Sequence, residues 1–500
     1  MIIEVEDQFY KSVQAFQKVL ALVEVAAKRG DAVHEVEESV WKGLLKTGRE
    51  IVSTFVQKQA EDVPRPEVIE CEGKLLKRLP EQRTRQYVSV FGPVPFDRDV
   101  YAIRETQLQE VVPLDAKLGM PQSDTSYLLQ KWSGAHFVKE SYKESRVNLQ
   151  MPLGFAPSVN CLEDIAARAS EHAEAYFAQQ AAVDPATEAE IFVLTSDCKG
   201  VPMRKADASR RKKAVDEGRK RLGKGEKYGQ KRMACVGGVY TVAPFCRTAD
   251  DILDEMLRKQ KQPQRPKPQN KRLRALLTRE EDGVEINAKE VIFDWLAQEQ
   301  EQRDPHQQRT VVAIMDGETK LRDLQEQKFP RAIGILDIWH ATEYLWKLAY
   351  CFHSDGSDEA KAFVETCLRK LLEGKVNRLL GGLRQMATKR KLTKPKRKQM
   401  ETYLVYLEAR SAHMKYDEYL TAGYPIGSGI VEGACRHLVK DRMEQTGMRW
   451  RIAGAQSILS LRAIYLNDDW DAFNADRVKA EQRKLYPYKR HLATILNCAT

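Results

Sequence analysis

The sequence predicts an α/β protein, and three short apolar runs carry that prediction. Ile191-Phe192-Val193-Leu194, Val311-Val312-Ala313-Ile314 and Ile333-Gly334-Ile335-Leu336 are short and rich in β-branched residues, as strands covered on both faces are. Each run delivers an aspartate: Asp197 after Thr195-Ser196, Asp316 after Met315, and Asp337 directly. Strand ends in open α/β sheets are rigid and face solvent, so chemistry collects there. One such aspartate is an ordinary turn residue. Three in one chain make a pattern.

Composition bounds the rest. Five hundred residues, 42% hydrophobic and 30% charged, allow about two to four domains with sizeable cores. No apolar run nears the roughly 20 residues that span a bilayer. The start, MIIEVEDQFYK, lacks the basic head and apolar middle of a signal peptide. The expectation is a cytoplasmic, nucleoid-associated protein with no membrane partner. The nine cysteines are scattered, with no Cys-x-x-Cys pair, which speaks against a zinc ribbon or a disulfide framework. Net charge is +10 and patchy: residues 203–232 hold thirteen Lys and Arg against four Asp and Glu. Residues 259–274 and 388–400 hold seven basic residues each and no acid. Basic charge gathered in windows suits a polyanion such as double-stranded DNA.

In chain order, 1–62 reads as a helical hairpin. Phe9, Val13, Phe16, Leu20 and Val23 step by four and three, and a second run after Gly30-Asp31 carries Val36, Val40, Leu44, Ile51 and Phe55. Such a hairpin packs on itself or pairs with a second copy. Residues 63–187 are expected to be a mostly helical, DNA-recognising region with a small β-ribbon over 85–104, where Val88 and Val90 alternate with polar neighbours before Gly92-Pro93. A first core segment, 188–340, holds the strand to Asp197, which Gly200 and Pro202 should end, and a second strand over Met233–Val242. It continues with a Pro/Gln/Lys-rich linker over 259–274, a helix over Ala288–Gln302, and the strands to Asp316 and Asp337. Four amphipathic stretches, Ile338–Phe352, Glu359–Leu372, Val376–Ala387 and Arg397–Leu407, place most of a helical insertion over 341–425. Residues 426–475 return to the core with a glutamate-bearing helix and a C-terminal helix, and 476–500 form a tail.

The glutamate is Glu432, in Gly427-Ser428-Gly429-Ile430-Val431-Glu432. Ser428 is placed to cap the helix, and the glycines allow close approach of a phosphate. Arg436 is four residues on and shares the face of Glu432; Lys440 continues that face and Arg442 borders it. Two aspartates on neighbouring strands and a glutamate on an adjoining helix can converge on a pair of Mg²⁺ ions roughly 4 Å apart, the arrangement that serves in-line displacement at phosphorus. Lys205, Arg210, Arg211, Lys212 and Lys213, soon after Asp197, would neutralise a duplex. Trp450, between Arg449 and Arg451, is placed to contact an unstacked base. The residues alone leave Asp316 and Asp337 equal candidates for the second ligand.

Several blocks resemble bacterial insertion-sequence transposases of the Asp-Asp-Glu class. They are Asp197-Cys-Lys-Gly, Met315-Asp316-Gly-Glu, Leu336-Asp337-Ile-Trp-His340, Gly427-Ser-Gly-Ile-Val-Glu432, and Arg442-Met-Glu-Gln-Thr-Gly-Met-Arg-Trp450 before Gly454-Ala-Gln. The resemblance runs from about residue 85 to 470 and is nearest to the Kra-type group related to Mutator-like transposases. It implies a ribonuclease-H-like catalytic core interrupted by an α-helical insertion. It also implies cutting at transposon ends and joining of the 3′-OH to target DNA, with two Mg²⁺ ions or Mn²⁺ as a substitute. The catalytic and metal-holding residues it implies are Asp197, Asp316 and Glu432, because Asp316 precedes Phe329-Pro330-Arg331-Ala332 as in the related pattern. Asp337 and His340 then stand behind the ligands or face DNA. The protein is expected to act as a homo-oligomer, in the first instance a dimer. A nuclease of this fold that cuts without joining, or a non-catalytic DNA-binding derivative, are the alternatives. Cys198 stands where relatives carry Gly, and the cysteine pairs common near their N-termini are missing, with Cys71 alone.

Overall fold

The computed structural model describes residues 9–71, 73–103, 111–180, 183–207, 231–258, 265–445 and 447–489. Two compact units divide the chain, Met1–Tyr176 with Asp469–Thr500, and Phe177–Asp468. The helix Trp470–Leu485 therefore belongs to the front unit, whereas the sequence placed the chain up to 475 in the core. Its anchors explain this: the Trp470 indole donates to the Lys131 carbonyl at 3.3 Å, and buried Arg477 donates to Gln130 Oε1 at 2.8 Å.

In the front unit, Tyr10–Arg29 and Val33–Glu61 form the hairpin, turning at Gly30 with φ 73°. The ribbon is β3 (Arg83–Ser89) with β4 (Gly92–Arg98), following β1 (Val68–Cys71) and β2 (Lys74–Arg78). With the short β5 (Tyr101–Ala102), β1 and β2 make a separate three-stranded sheet in the order β1-β2-β5. Arg85, on the ribbon, is buried against Asp115 at 2.6 Å. Helices Tyr127–Phe137, Tyr142–Leu153 and Val159–Ser170 follow, each opened by a serine, Ser126, Ser141 or Ser158, that accepts from the third residue on.

The second unit is built on a five-stranded sheet in the order β12-β11-β6-β7-β8. These are β6 (Ile191–Pro202), β7 (Lys231–Val242), β8 (Gln269–Leu277), β11 (Thr310–Met315) and β12 (Ile333–Leu336). A small hairpin, β9 (Arg279–Glu281) and β10 (Val284–Ile286), follows β8 and turns at Asp282-Gly283, both with positive φ. Strands β6, β7 and β8 are mutually antiparallel, while β11 and β12 run parallel to β6. Alternate residues feed two cores. Phe192, Leu194, Ala313 and Met315 meet helices Ala288–Arg303 and Thr319–Lys328. Ile191, Val193, Val312 and Ile314 meet the helical insertion on the other face. Burial on both sides is why these strands read as unbroken apolar runs.

Two strand readings are corrected. β6 does not end after Asp197: its antiparallel ladder with β7 continues to Pro202↔Lys231, with Gly200 and Pro202 inside it. Residues 269–274, taken as linker, are the first part of β8. Their basic side chains hid the strand: Arg272 pairs with Glu299 at 3.0 Å, and buried Arg274 lies 5.0 Å from the Phe177 ring centroid. That part of the second basic window serves the interior. The insertion comprises Asp358–Leu372, Val376–Lys389, Lys394–Glu408 and Tyr416–Thr421, packed on Ile338–Phe352. Among the described residues no helix is long and apolar enough to cross a membrane.

At the start of β6, Arg303 grips Glu188 through Nε at 2.6 Å and Nη2 at 3.1 Å, with both side chains fully buried. Thr241 donates a further bond to Glu188 at 2.5 Å. Removing one partner leaves the other as an uncompensated buried charge. Arg303→Met is expected to cost about 3–5 kcal/mol of unfolding free energy in urea titration, and the double change with Glu188→Gln much less.

Candidate active site

The site begins where one strand loses a neighbour. The parallel pairing of β6 with β11 ends at Ser196↔Met315, so Asp197 and Asp316 are the next register neighbours. Both fall on the insertion-facing side, in phase with Val193 and Ile314. Asp197 still pairs with Val236 on β7, which fixes its backbone. Its Oδ1 accepts from the Cys198 amide at 2.6 Å, and its Oδ2 accepts from the Cys435 thiol at 3.3 Å. Cys435 lies three residues after Glu432, so the glutamate's helix, Gly429–Ala434, rests against this strand.

Asp316 opens a turn tied down from the insertion. Its Oδ1 accepts from the Glu318 amide at 2.8 Å, its carbonyl accepts from the Tyr406 hydroxyl at 2.7 Å, and Arg410 Nε donates to the Gly317 carbonyl at 2.8 Å. Gly317 has φ +82°, and a Cβ there would come within 2.8 Å of Tyr406, Leu336 and Arg410, so only glycine fits. Tyr406 stacks on Tyr344 with centroids 3.8 Å apart, Arg410 sits 3.6 Å from the Tyr406 centroid, and His340 borders both rings. Nothing in the sequence links Tyr406 and Arg410 to Asp316, ninety residues upstream; the tie exists only in the fold.

Electrostatics join the acids into one neighbourhood. Burial and then the charge of Asp316 push the Asp197 carboxyl above its ordinary range, against the Cys198 amide and Cys435 thiol bonds and the His340 ring. Partial desolvation, then the charges of Asp197 and Glu343, push Glu432 upward, although Glu432 keeps an open edge to solvent. Among the described residues, no Lys or Arg forms an ion pair with Asp197, Asp316 or Glu432. Nor do three or more His, Cys, Asp or Glu side chains stand together in a group that could hold a metal ion.

Asp337 does different work. It is buried, caps the Ile338–Phe352 helix by accepting from the Trp339 amide at 2.7 Å, and accepts the Ser428 amide at 3.0 Å and the Ser428 hydroxyl. Ser428 therefore does not cap the Glu432 helix as its position suggested. It fastens the Gly427–Gly429 segment to the end of β12.

The expected cationic face past Glu432 is also rearranged. Cys435–Lys440 forms a π-turn, and buried Arg462 donates to the His437 and Leu438 carbonyls at 2.9 Å, satisfying groups that wide turn frees. Arg436 and Lys440 are exposed, Arg436 lying 3.8 Å from Asp441. Arg442 is fully buried, its guanidinium 4.9 Å from the Trp450 ring centroid, so it is no surface contact. Trp450 is buried as well: its indole donates to the Met443 carbonyl at 3.0 Å, and its backbone bonds Pro202 at the end of β6 and Arg204 just past it. It is a structural anchor, not a platform for a base. Lys205, Arg449 and Arg451 are exposed; Arg210, Arg211, Lys212 and Lys213 lie outside the described residues. Trp339 is 40% exposed and lines a cavity of about 530 Å³ with Phe245, Gly427 and Ile430.

No protein-family model matches the chain, and no curated protein matches it.

Burial, then the Glu432 charge, raises the Asp337 carboxyl to about 7, while the Trp339, Ser428 and His340 amides oppose; Tyr240 and Tyr416 also face it. A folded value above the unfolded one means the native state holds the extra proton between about pH 4 and 7. The stabilisation is therefore full below about pH 4 and is lost as pH rises to 7, at no more than about 1.4 kcal/mol per unit. Asp337→Asn is expected to flatten this window in urea midpoints measured from pH 4.5 to 8, leaving the slope of the curve above 7 unchanged.

Proposed function

We propose that this chain is a DNA transposase of the Asp-Asp-Glu class, cutting at transposon ends and joining the freed 3′-OH to target DNA on a ribonuclease-H-like core. The observation that carries the reading is the register that sets Asp197 beside Asp316 where the parallel pairing stops. The Cys435–Asp197 bond adds support by bringing the glutamate's helix to the same strand. So does the sheet, an antiparallel meander, β8-β7-β6, continued by β11 and β12 parallel to β6, as a ribonuclease-H-like core requires.

The donor set fits a hard divalent cation. Mg²⁺ is held by one or two carboxylates, with waters and substrate phosphate completing its shell, so three converging protein groups are not needed. Asp197 and Asp316 would hold the ions and Glu432 would join from its helix; burial and the neighbouring Asp316 charge raise the Asp197 carboxyl, which favours a cation beside it. Bound Mg²⁺ supplies charge neutralisation at phosphorus and a more acidic attacking water or hydroxyl. The chain's own contribution is position. Tyr406 and Arg410 hold the Asp316 turn, β7 holds the Asp197 backbone, and Asp337 with Ser428 holds the loop leading to Glu432. Exposed Lys205, Arg436, Lys440, Arg449 and Arg451 would offset duplex phosphates.

The test is cleavage and joining with Mg²⁺ or Mn²⁺ on a donor plasmid carrying the DNA that flanks the coding sequence, and joining of oligonucleotides bearing a free 3′-OH. Asp197→Asn, Asp316→Asn and Glu432→Gln are each expected to cut both rates by about a hundredfold or more while the fold survives. Tyr406→Phe is expected to fall between these and the parent. Cutting without joining would indicate a nuclease. Full activity of the Asp316→Asn protein would remove Asp316 from the site.

A further inference from the structure

We propose that the N-terminal hairpin, Tyr10–Arg29 with Val33–Glu61, pairs with the same hairpin of a second copy of the chain. The inference rests on how the hairpin packs, and not on the acidic site. Its two helices meet through small side chains. Ser12, Val19 and Ala26 are the buried residues of the first helix, and Thr47 and Thr54 are buried on the second. At Gly43 the approach is so close that a Cβ would lie 2.5 Å from Val19 Cγ2.

That close seam leaves the larger side chains out. The apolar spacing of the first helix runs through Phe16, Leu20 and Val23, which are 46%, 54% and 37% exposed. The matching row of the second helix, Leu44, Ile51 and Phe55, is 41%, 47% and 50% exposed. At about 100° per residue, each exposed row lies roughly 60–75° around from its buried line, in the same rotational sense. In an antiparallel pair, equal senses put both rows on one face of the hairpin. The steps of four and three are those of a seam that meets another helix. Here that partner is not the hairpin's own second arm. Lys58 lies 4.9 Å from the Phe9 ring centroid, at the end of the first row, so charge stands at the rim of this face, where an interface carries it.

The area matches a stable dimer. Helices of 20 and 29 residues overlap for about 30 Å, and two side by side present on the order of 600–800 Å². A standard interface takes about 800 Å² from each partner. A two-fold axis uses one self-complementary patch twice, so a second copy needs no surface beyond this one. The product is a four-helix arrangement with six large apolar side chains from each chain at its centre.

Sedimentation velocity of the full chain, free of DNA, from about 0.5 to 50 µM tests this. The parent is expected to be dimeric. Leu20→Glu with Ile51→Glu should be monomeric, with association weakened by at least about a hundredfold and helical circular dichroism retained. Should that pair fail to fold, Leu20→Ser with Ile51→Ser should shift the dissociation midpoint in the same direction. Leu22→Glu with Val25→Glu, on the opposite face, should remain dimeric. A parent that is monomeric at 50 µM overturns the proposal. So does a folded Leu20/Ile51 variant that stays dimeric, or a Leu22/Val25 variant that dissociates equally. Divalent-metal-dependent nicking of plasmid by the monomeric variant distinguishes failure here from failure of the transposase reading.

Discussion

The unequal length of the two ladders on β6 is the constraint from which the rest of the site follows. Its antiparallel partner holds it from Ile191 to Pro202, whereas its parallel partner leaves after Ser196. A strand free on both sides beyond Ser196 would let Asp197 swing. A strand paired on both sides would bury it as a cost with no use. Pairing on one side holds the backbone and opens the other to whatever neutralises the acid. Asp316 lies where β11 departs, so the step in the sheet and the pairing of the two acids are one feature.

Holding like charges together costs free energy, and the insertion supplies what offsets it. Two hydrogen bonds to the Asp316–Gly317 turn, one tyrosine stack and one guanidinium over a ring are each worth about 1 kcal/mol. Together they offset the cost of keeping one half-buried carboxylate next to another, a cost that shows in the upward push on Asp197. The helical insertion is therefore part of the site's mechanics. It fixes Asp316 from outside the sheet, through a contact that forms only once Lys394–Glu408 has docked on Ile338–Phe352.

Elements that bury apolar surface were readable in the sequence, and elements that bury charge were not. The strands leading to Asp197, Asp316 and Asp337 and the insertion helices announced themselves by unbroken or periodic apolar residues. β8 did not, because Arg272 and Arg274 point inward to Glu299 and Phe177 and give the stretch the composition of a linker. The sheet β1-β2-β5 was hidden in the same way by Lys74, Lys77 and Arg78. At the site, the sequence could nominate three aspartates but not rank them without a resemblance. Register ranks them by geometry: Asp316 neighbours Asp197, while Asp337 spends its oxygens on Trp339 and Ser428. Counting basic residues overstated the cationic surface, since Arg274 and Arg442 are interior.

The π-turn after Glu432 shows why sequence spacing misjudged that helix. A regular helix would carry Glu432, Arg436 and Lys440 on one face, with the cations beside the acid. The wider turn begins at Cys435 and breaks this phase, so Cys435 meets Asp197 while Arg436 turns towards Asp441. A wide turn survives only if its freed carbonyls find donors, and Arg462 supplies them from the interior, at a desolvation cost that lowers its own proton affinity to about 10. Arg462 is thus a positioning group for the glutamate's helix, acting through the backbone. The turn also leaves Glu432 without a cationic partner on its own helix. Under the proposed function, that leaves the carboxylate available to an ion brought in with DNA.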